Sequence, residues 1–311
     1  MEKLTTSDFA KSFGVSEEVF SESLKSKILS FDFSFERPDA EATKRLILEV
    51  LKKISSDKQV IGAPERAQKW YEGWKENLDD FRSSEFDEKA LVPKFVRPGN
   101  PIRWFQQYII PRNDEFELQF IKVYLHWIAE TYFSEVFKIH EFGCGTGYNL
   151  MAIGKIFPEK EYLGSDFVDS SVDLVNEIAS STKEIRLSAS NFNMLKPNYD
   201  YDISSNDGVF TFGSLEQLAS DVKPMIEFLI SKKPKIVIHT EPVEEFYDLG
   251  NLEDYLAYQF QSKRGYSSGL IGLLENLERK GVIQIVKKKR LFFGSFFMEG
   301  YNHIAWRPVK K

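Results

Sequence analysis

The chain has 311 residues, 42% of them hydrophobic, enough for one large domain with an appendage or for two domains. Its 41 Lys and Arg against 47 Asp and Glu leave a net charge of −6, which excludes a global field favouring nucleic acid or an anionic membrane surface. Cys144 is the only cysteine, so no intrachain disulfide can form, and no run approaches the roughly 18 apolar residues of a membrane span; a cytoplasmic location is expected.

Residues 1–112 read as helical, without a convincing strand, ending in a connector. "FAKSFGVSEEVF", residues 9–20, has the outline of a helix-turn-helix, with Gly14 in the turn and Ser16 capping a second helix. Glu17, Glu18 and Glu22 would face a phosphate backbone, so a packing element is expected rather than a DNA reader. "AEATKRLILEVLKKI" sets Leu46, Ile47, Val50, Leu51 and Ile54 on one helical face. Pro93, Pro98, Pro101 and Pro111 then forbid a long helix and predict a rigid, extended connector. Asn113 or Asp114 is the expected cap of the next helix, "EFELQFIKVYLHWIAETYF".

From residue 113 to 311 the periodicity alternates. "VFKIHEF", "EYLGSDF", "EIRLSAS", "GVFTF" and "KIVIHTE" read as strands, separated by helical runs such as "SSVDLVNEIAS" and "LEQLASDVKPMIEFLISK". Helical crossovers of this length require parallel strands covered on both faces, so the fold class is α/β: a Rossmann-like, mostly parallel seven-stranded sheet. A helical insertion occupies about 243–281, and the last two strands, "VIQIVKKKRLFF" and "YNHIAWRP", are too close for a crossover and should pair antiparallel. Of "KKKR", residues 287–290, lysines guarding a sheet edge are the expected role, with phosphate binding as the alternative.

"HEFGCGTGYN", residues 140–149, crowds Gly143, Gly145 and Gly147 between a strand and a helix, bringing bare backbone close to a ligand. The dinucleotide fingerprint needs glycine where Tyr148 stands, and the P-loop needs Gly-Lys-Ser/Thr. Glu141 precedes the turn instead; a carboxylate there suits a positively charged ligand and would repel a pyrophosphate. "EFGCGTG", residues 141–147, resembles the first motif, E/D-x-G-x-G-x-G, of class I S-adenosylmethionine-dependent methyltransferases. The resemblance covers residues 137–306 and implies S-adenosylmethionine as cofactor, with S-adenosylhomocysteine as product. It implies that Glu141, Gly143, Cys144, Gly145, Gly147 and Asn149 hold the methionyl part. Asp166 and Phe167 would meet the ribose, Asn191 and Phe192 the adenine, and Thr211 the cofactor from the fourth strand.

Alternatives stay open at single residues. Asp166 has the lesser alternative of capping the helix that follows it. Cys144 reads as a small turn residue, since no His stands at a nucleophile's offset. His126, His140, His239 and His303 lack H-x-x-H spacing, so no metal site is expected.

Methyl transfer needs alignment and, for some acceptors, proton removal. The candidates for the latter are Glu216, His239 and Glu241, at the ends of strands four and five. Arg103, Gln217, Tyr247, Arg264, Glu299 and Tyr301 are the expected substrate contacts, with the connector as a lid carrying Arg97, Trp104 and Tyr108. The expected acceptor is a small polar or aromatic molecule methylated on N or O, with no nucleic acid or membrane partner; a protein or peptide acceptor, a non-catalytic adenosyl-ligand sensor and a nicotinamide oxidoreductase are the other readings. The sequence does not fix the oligomeric state.

Overall fold

The computed structural model describes residues 1–61, 64–219 and 221–309. Its first helices are α1 (Thr6–Phe13), α2 (Glu22–Ser30), α3 (Ala40–Ser56) and α4 (Pro64–Ser83). A capping box between Thr5 and Asp8 starts α1, and Gly14, at φ +65°, ends it. Ser16 does not cap a second helix; it precedes one short turn, Glu17–Val19, and Ser21 caps α2 by accepting from the Leu24 amide at 3.0 Å. No helix-turn-helix forms.

The amino-terminal region is not free of strands, as the sequence had suggested. It contains β1 (Glu2–Lys3), β2 (Ser34–Glu36), β3 (Ile102–Trp104) and β4 (Gln107–Pro111). The supposedly extended connector therefore folds back as a hairpin, β3 against β4, turning at Phe105 and Gln106 with φ of 45° and 60°. A two-residue turn with both φ positive follows the strand twist, which is why glycine or asparagine is its usual signal.

Beyond it run α5 (Phe116–Ile128), β5 (Lys138–Phe142), α6 (Tyr148–Gly154), β6 (Glu161–Asp166), α7 (Asp169–Ser181), β7 (Arg186–Asn191) and β8 (Gly208–Phe212). They are followed by α8 (Lys223–Lys232), β9 (Ile236–Glu241), α9 (Leu252–Arg264), α10 (Leu270–Arg279), β10 (Ile283–Lys289), β11 (Phe293–Gly294) and β12 (Asn302–Pro308). The single helix expected over 215–232 is a short turn, Leu215–Leu218, followed by α8; Ser220, within that span, lies outside the described residues.

All seven expected strands form one sheet in the order β10-β12-β9-β8-β5-β6-β7. β12 is antiparallel to both neighbours, and the five strands from β9 to β7 are parallel. This is the sheet that the methyltransferase resemblance implied. A second sheet, β1-β2-β4-β3-β11, joins the amino-terminal region to the loop before β12.

β8 and β9 are buried at every position, as central strands covered on both faces must be. On one face the core is aromatic and runs across residue 112: Phe9, Phe13 and Phe33 of the first region meet Phe120 and Trp127 of α5. Phe120 stacks on Phe293 with ring centroids 3.5 Å apart. The other face packs Phe142, Phe192, Phe228 and Trp306. Among the described residues, no helix is long and apolar enough to cross a membrane.

Candidate active site

The strand order reverses between β5 and β8, parallel neighbours whose following strands lie on opposite sides. Ligands of open α/β sheets bind outside the carboxyl ends of the strands at such a switch point. Gly143–Thr146 follow β5 here, and Gly213 follows β8, so both turns edge one cleft.

Backbone geometry explains the glycines. Gly143, Gly145 and Gly147 have φ of +74°, +52° and +73°, a region that costs other residues strain. The turn is fixed by the Gly143 amide donating to the Ser165 carbonyl at 2.7 Å and the Gly147 amide donating to the Cys144 carbonyl at 2.8 Å. A Cβ on Gly143 would stand 2.3 Å from that of Ser214, so the β5 and β8 turns touch.

Glu141 is fully buried at the end of β5. Its Oε1 accepts from Asn149 Nδ2 at 2.7 Å, and among the described residues its Oε2 has no partner. Burial pushes this carboxyl well above the usual range, with the charge of nearby Asp166 adding to the shift. Asn149 lines the cleft. A buried carboxylate oxygen without a donor, behind a lining amide, fits a ligand that brings a positive N–H group.

Asp166 ends β6, beside the turn, but its carboxylate is already engaged: Oδ2 accepts from the Gly145 amide at 3.0 Å and Oδ1 from the Val168 amide at 3.1 Å. Asp166 is not the cap of α7, whose N-cap is Val168 without a side-chain bond; it braces the turn that leads into that helix. Cys144 is buried with its thiol pushed up by that burial, so it is a turn residue without nucleophilic character.

Phe167 is half exposed, Asn191 bonds Asp169 at 2.5 Å, and Phe192 packs in the second core against Phe142 and Phe228. None of these three lines the cleft, and Phe192 is a core residue.

At the β8–β9 end, Glu241 accepts from the amides of Ser214 and Glu216 at 3.3 and 3.4 Å. Glu216 is buried beside it, its Oε1 taking a 3.1 Å bond from Gln217, and its Oε2 lies 3.9 Å from where a Cβ of Gly213 would be. Burial and the neighbouring Glu241 charge raise Glu216; burial raises Glu241 against its backbone donors. Two neighbouring carboxyls in low dielectric disfavour being ionised together. Thr211 donates or accepts at 2.9 Å with His239 Nδ1. His239 corrects the sequence reading: it is fully buried inside the sheet, its pKa lowered to about 3 by desolvation, so it stays neutral and does not reach the cleft.

Most expected substrate contacts also need correction. Arg290 binds Asp254 and Glu299, each through two hydrogen bonds of 2.5–2.8 Å, and Arg103 donates to Tyr108 at 3.1 Å in the same buried group. Tyr247 accepts from Gln261 at 2.6 Å and from the Glu299 amide at 3.1 Å. Arg103, Tyr247 and Glu299 are thus parts of an internal ion network that ties the β3–β4 hairpin to α9. Tyr301 donates to Glu117 at 2.7 Å, and Arg264 binds Asp57 at 2.7 Å; neither lines the cleft. Of the connector, Pro93, Phe95 and Val96 do line it, whereas Arg103, Trp104 and Tyr108 do not.

The sequence reading missed α4. Trp70 and Trp74 stack, with centroids 5.3 Å apart, and both line the cleft; the Trp74 ring comes within 3.1 Å of the place a Gly145 Cβ would occupy. Arg66 lies over Trp70 at 5.2 Å and donates to Gln217 at 2.7 Å. Arg66, Trp70 and Trp74 are four residues apart, a helical stripe that was readable in the sequence. With this stripe in place the cleft holds about 50 Å³, against the roughly 300–1,000 Å³ of an ordinary small-molecule site. Among the described residues, no three His, Cys, Asp or Glu side chains group as metal ligands.

No protein-family model matches the chain, and no curated protein matches it by sequence. Solved structures similar to it in fold include magnesium protoporphyrin IX methyltransferase from Synechocystis PCC 6803 with bound SAH, at 13% identity and a TM-score of 0.46, covering 62% of this chain and 84% of that one. A SAM-dependent methyltransferase from Aquifex aeolicus is 15% identical, with a TM-score of 0.40, over 60% of this chain and 89% of its own. The pyocyanin biosynthetic protein is 13% identical, with a TM-score of 0.44, over 64% and 60%.

Proposed function

We propose that the chain is an S-adenosylmethionine-dependent methyltransferase acting on an N or O atom of a small polar or aromatic molecule. The observation that carries this reading is Glu141: a buried carboxylate with one oxygen lacking a donor, behind a glycine turn at the sheet's switch point. A cation is the partner it lacks.

The cofactor supplies a methyl group activated on a sulfonium, leaving S-adenosylhomocysteine. Glu141 and Asn149 are the residues to hold its amino group, with the backbone of Gly143–Gly145 against its chain. Asp166 would take the ribose on releasing a backbone amide. Leu118, Ile121 and Phe212 line the cleft with apolar surface that keeps water out during transfer. The Glu216–Glu241 pair lies behind Gly213, outside the residues that line the cleft, and is the group we assign to take up the acceptor's proton. Glu241 bears the charge under its backbone amides, and Glu216 titrates against it. Gln217 adjoins them as a polar contact.

Calorimetric titration with S-adenosylhomocysteine tests the cofactor, and transfer of a tritiated methyl group into a metabolite extract tests the reaction. Binding without any labelled product would favour an adenosyl-ligand sensor.

A further inference from the structure

We propose that the first half of α4 is a displaceable plug: in the empty protein the Trp74 indole occupies the cofactor's place against Gly145, and the cofactor enters only when this half-helix swings out. The inference rests on the cofactor reading above and adds its regulation.

Three observations carry it. First, the ring packs on the bare side of Gly145, with its nearest carbon 3.1 Å from where a Gly145 Cβ would be. A nucleoside and the indole cannot both lie against that backbone. Asp166 is meanwhile satisfied by backbone amides, as an acid without its ligand would be.

Second, α4 is anchored unevenly. Asn77, Leu78 and Phe81 are buried, Asn77 donates to the Ala90 carbonyl at 2.6 Å, and Lys94 bridges to Asp80 at 2.8 Å. From Arg66 to Lys75 no residue is buried; the hydrogen bonds that tie that half to other elements are Arg66 to Gln217 and Gln59, at 2.7 and 3.3 Å, and Ser170 donating to the Tyr71 carbonyl at 2.8 Å. Segments with few buried contacts and solvent-facing hydrogen bonds open first.

Third, Gly73 divides the two halves. A Cβ there would meet nothing within 4 Å, so packing does not demand glycine, while a glycine inside a helix weakens it by about 1 kcal/mol relative to alanine. It is the weakest point of the helix interior and stands next to Trp74. Arg66, lying on Trp70 and bonded to Gln217, is the latch at the far end.

Stopped-flow and calorimetric binding of S-adenosylhomocysteine to the full chain separates the possibilities. Trp74→Ala should bind more tightly and faster, by roughly tenfold if the plug is closed in about nine of ten molecules. Gly73→Ala should bind more slowly than wild type. Hydrogen exchange of wild type should show amides 66–75 losing protection when the ligand is added, with 77–83 unchanged, which needs no variant to fold. If Trp74→Ala binds as wild type or more weakly, or if 66–75 gain protection, the indole is not a plug. If neither wild type nor Trp74→Ala binds at all, it is the cofactor reading that fails.

Discussion

Asn149 Nδ2 stands 2.7 Å from Glu141 Oε1, and nothing among the described residues meets Glu141 Oε2. A buried acid held from one side only is primed for a positively charged ligand on the other. Glu141→Gln should therefore weaken S-adenosylhomocysteine binding by about 10- to 100-fold, from the roughly 1.5–3 kcal/mol of a hydrogen bond to a charged group. Its melting temperature should stay level or rise, because an amide replaces a carboxyl that burial already disfavours as an anion. Calorimetry and a thermal melt on the same sample check both halves.

Glu117 gives a pH test. Burial raises its pKa to about 7, against the lowering effect of the Tyr301 hydroxyl. Between the unfolded value of 4.5 and about 7 the folded chain holds a proton that the unfolded chain has lost, so this residue's contribution falls as pH rises through that window and is flat above it. Relative to wild type, Glu117→Gln should gain about 3 kcal/mol at pH 8 and nothing near pH 4, read from urea midpoints. A difference independent of pH would mean Glu117 is ionised in the fold.

Arg290→Met should cost about 3–5 kcal/mol of unfolding free energy, since Asp254 and Glu299 would remain buried without their shared cation. An unchanged denaturation midpoint would return Glu299 to the list of ligand contacts.

Gly143→Ala places a methyl group 2.3 Å from Ser214 Cβ at a φ of +74°. The expected loss is about 1–3 kcal/mol together with the parting of the β5 and β8 turns, visible as lost ligand binding at temperatures where the protein is still folded.

Much of the sheet was legible because its strands are short apolar runs between helical ones: "KIVIHTE" is β9 and "GVFTF" is β8, buried throughout. The small sheet was not. Its strands are two to five residues long, and the β3–β4 hairpin turns at Phe105–Gln106, which carry positive φ without the glycine or asparagine that announces such a turn. The glycine motif with Glu141 and Asp166 was legible as spacing. The employment of Glu299, Tyr247 and Arg103 was hidden, since Arg290 meets Asp254 across 36 residues, Tyr247 meets the Glu299 amide across 52, and Arg103 joins them from the amino-terminal region. A charge rich in partners looks the same in sequence as a charge awaiting a ligand. Trp70 and Trp74 did leave a trace, their helical spacing with Arg66, but nothing in that spacing says which surface the stripe covers.

Titration of the full chain with S-adenosylhomocysteine, wild type beside Glu141→Gln, tests the central claim most directly. Saturable one-to-one binding by wild type, weakened at least tenfold in the variant, is the result expected of a buried carboxylate that receives the ligand's cation. Equal binding by both proteins, or heat of binding from neither at millimolar ligand, would contradict it.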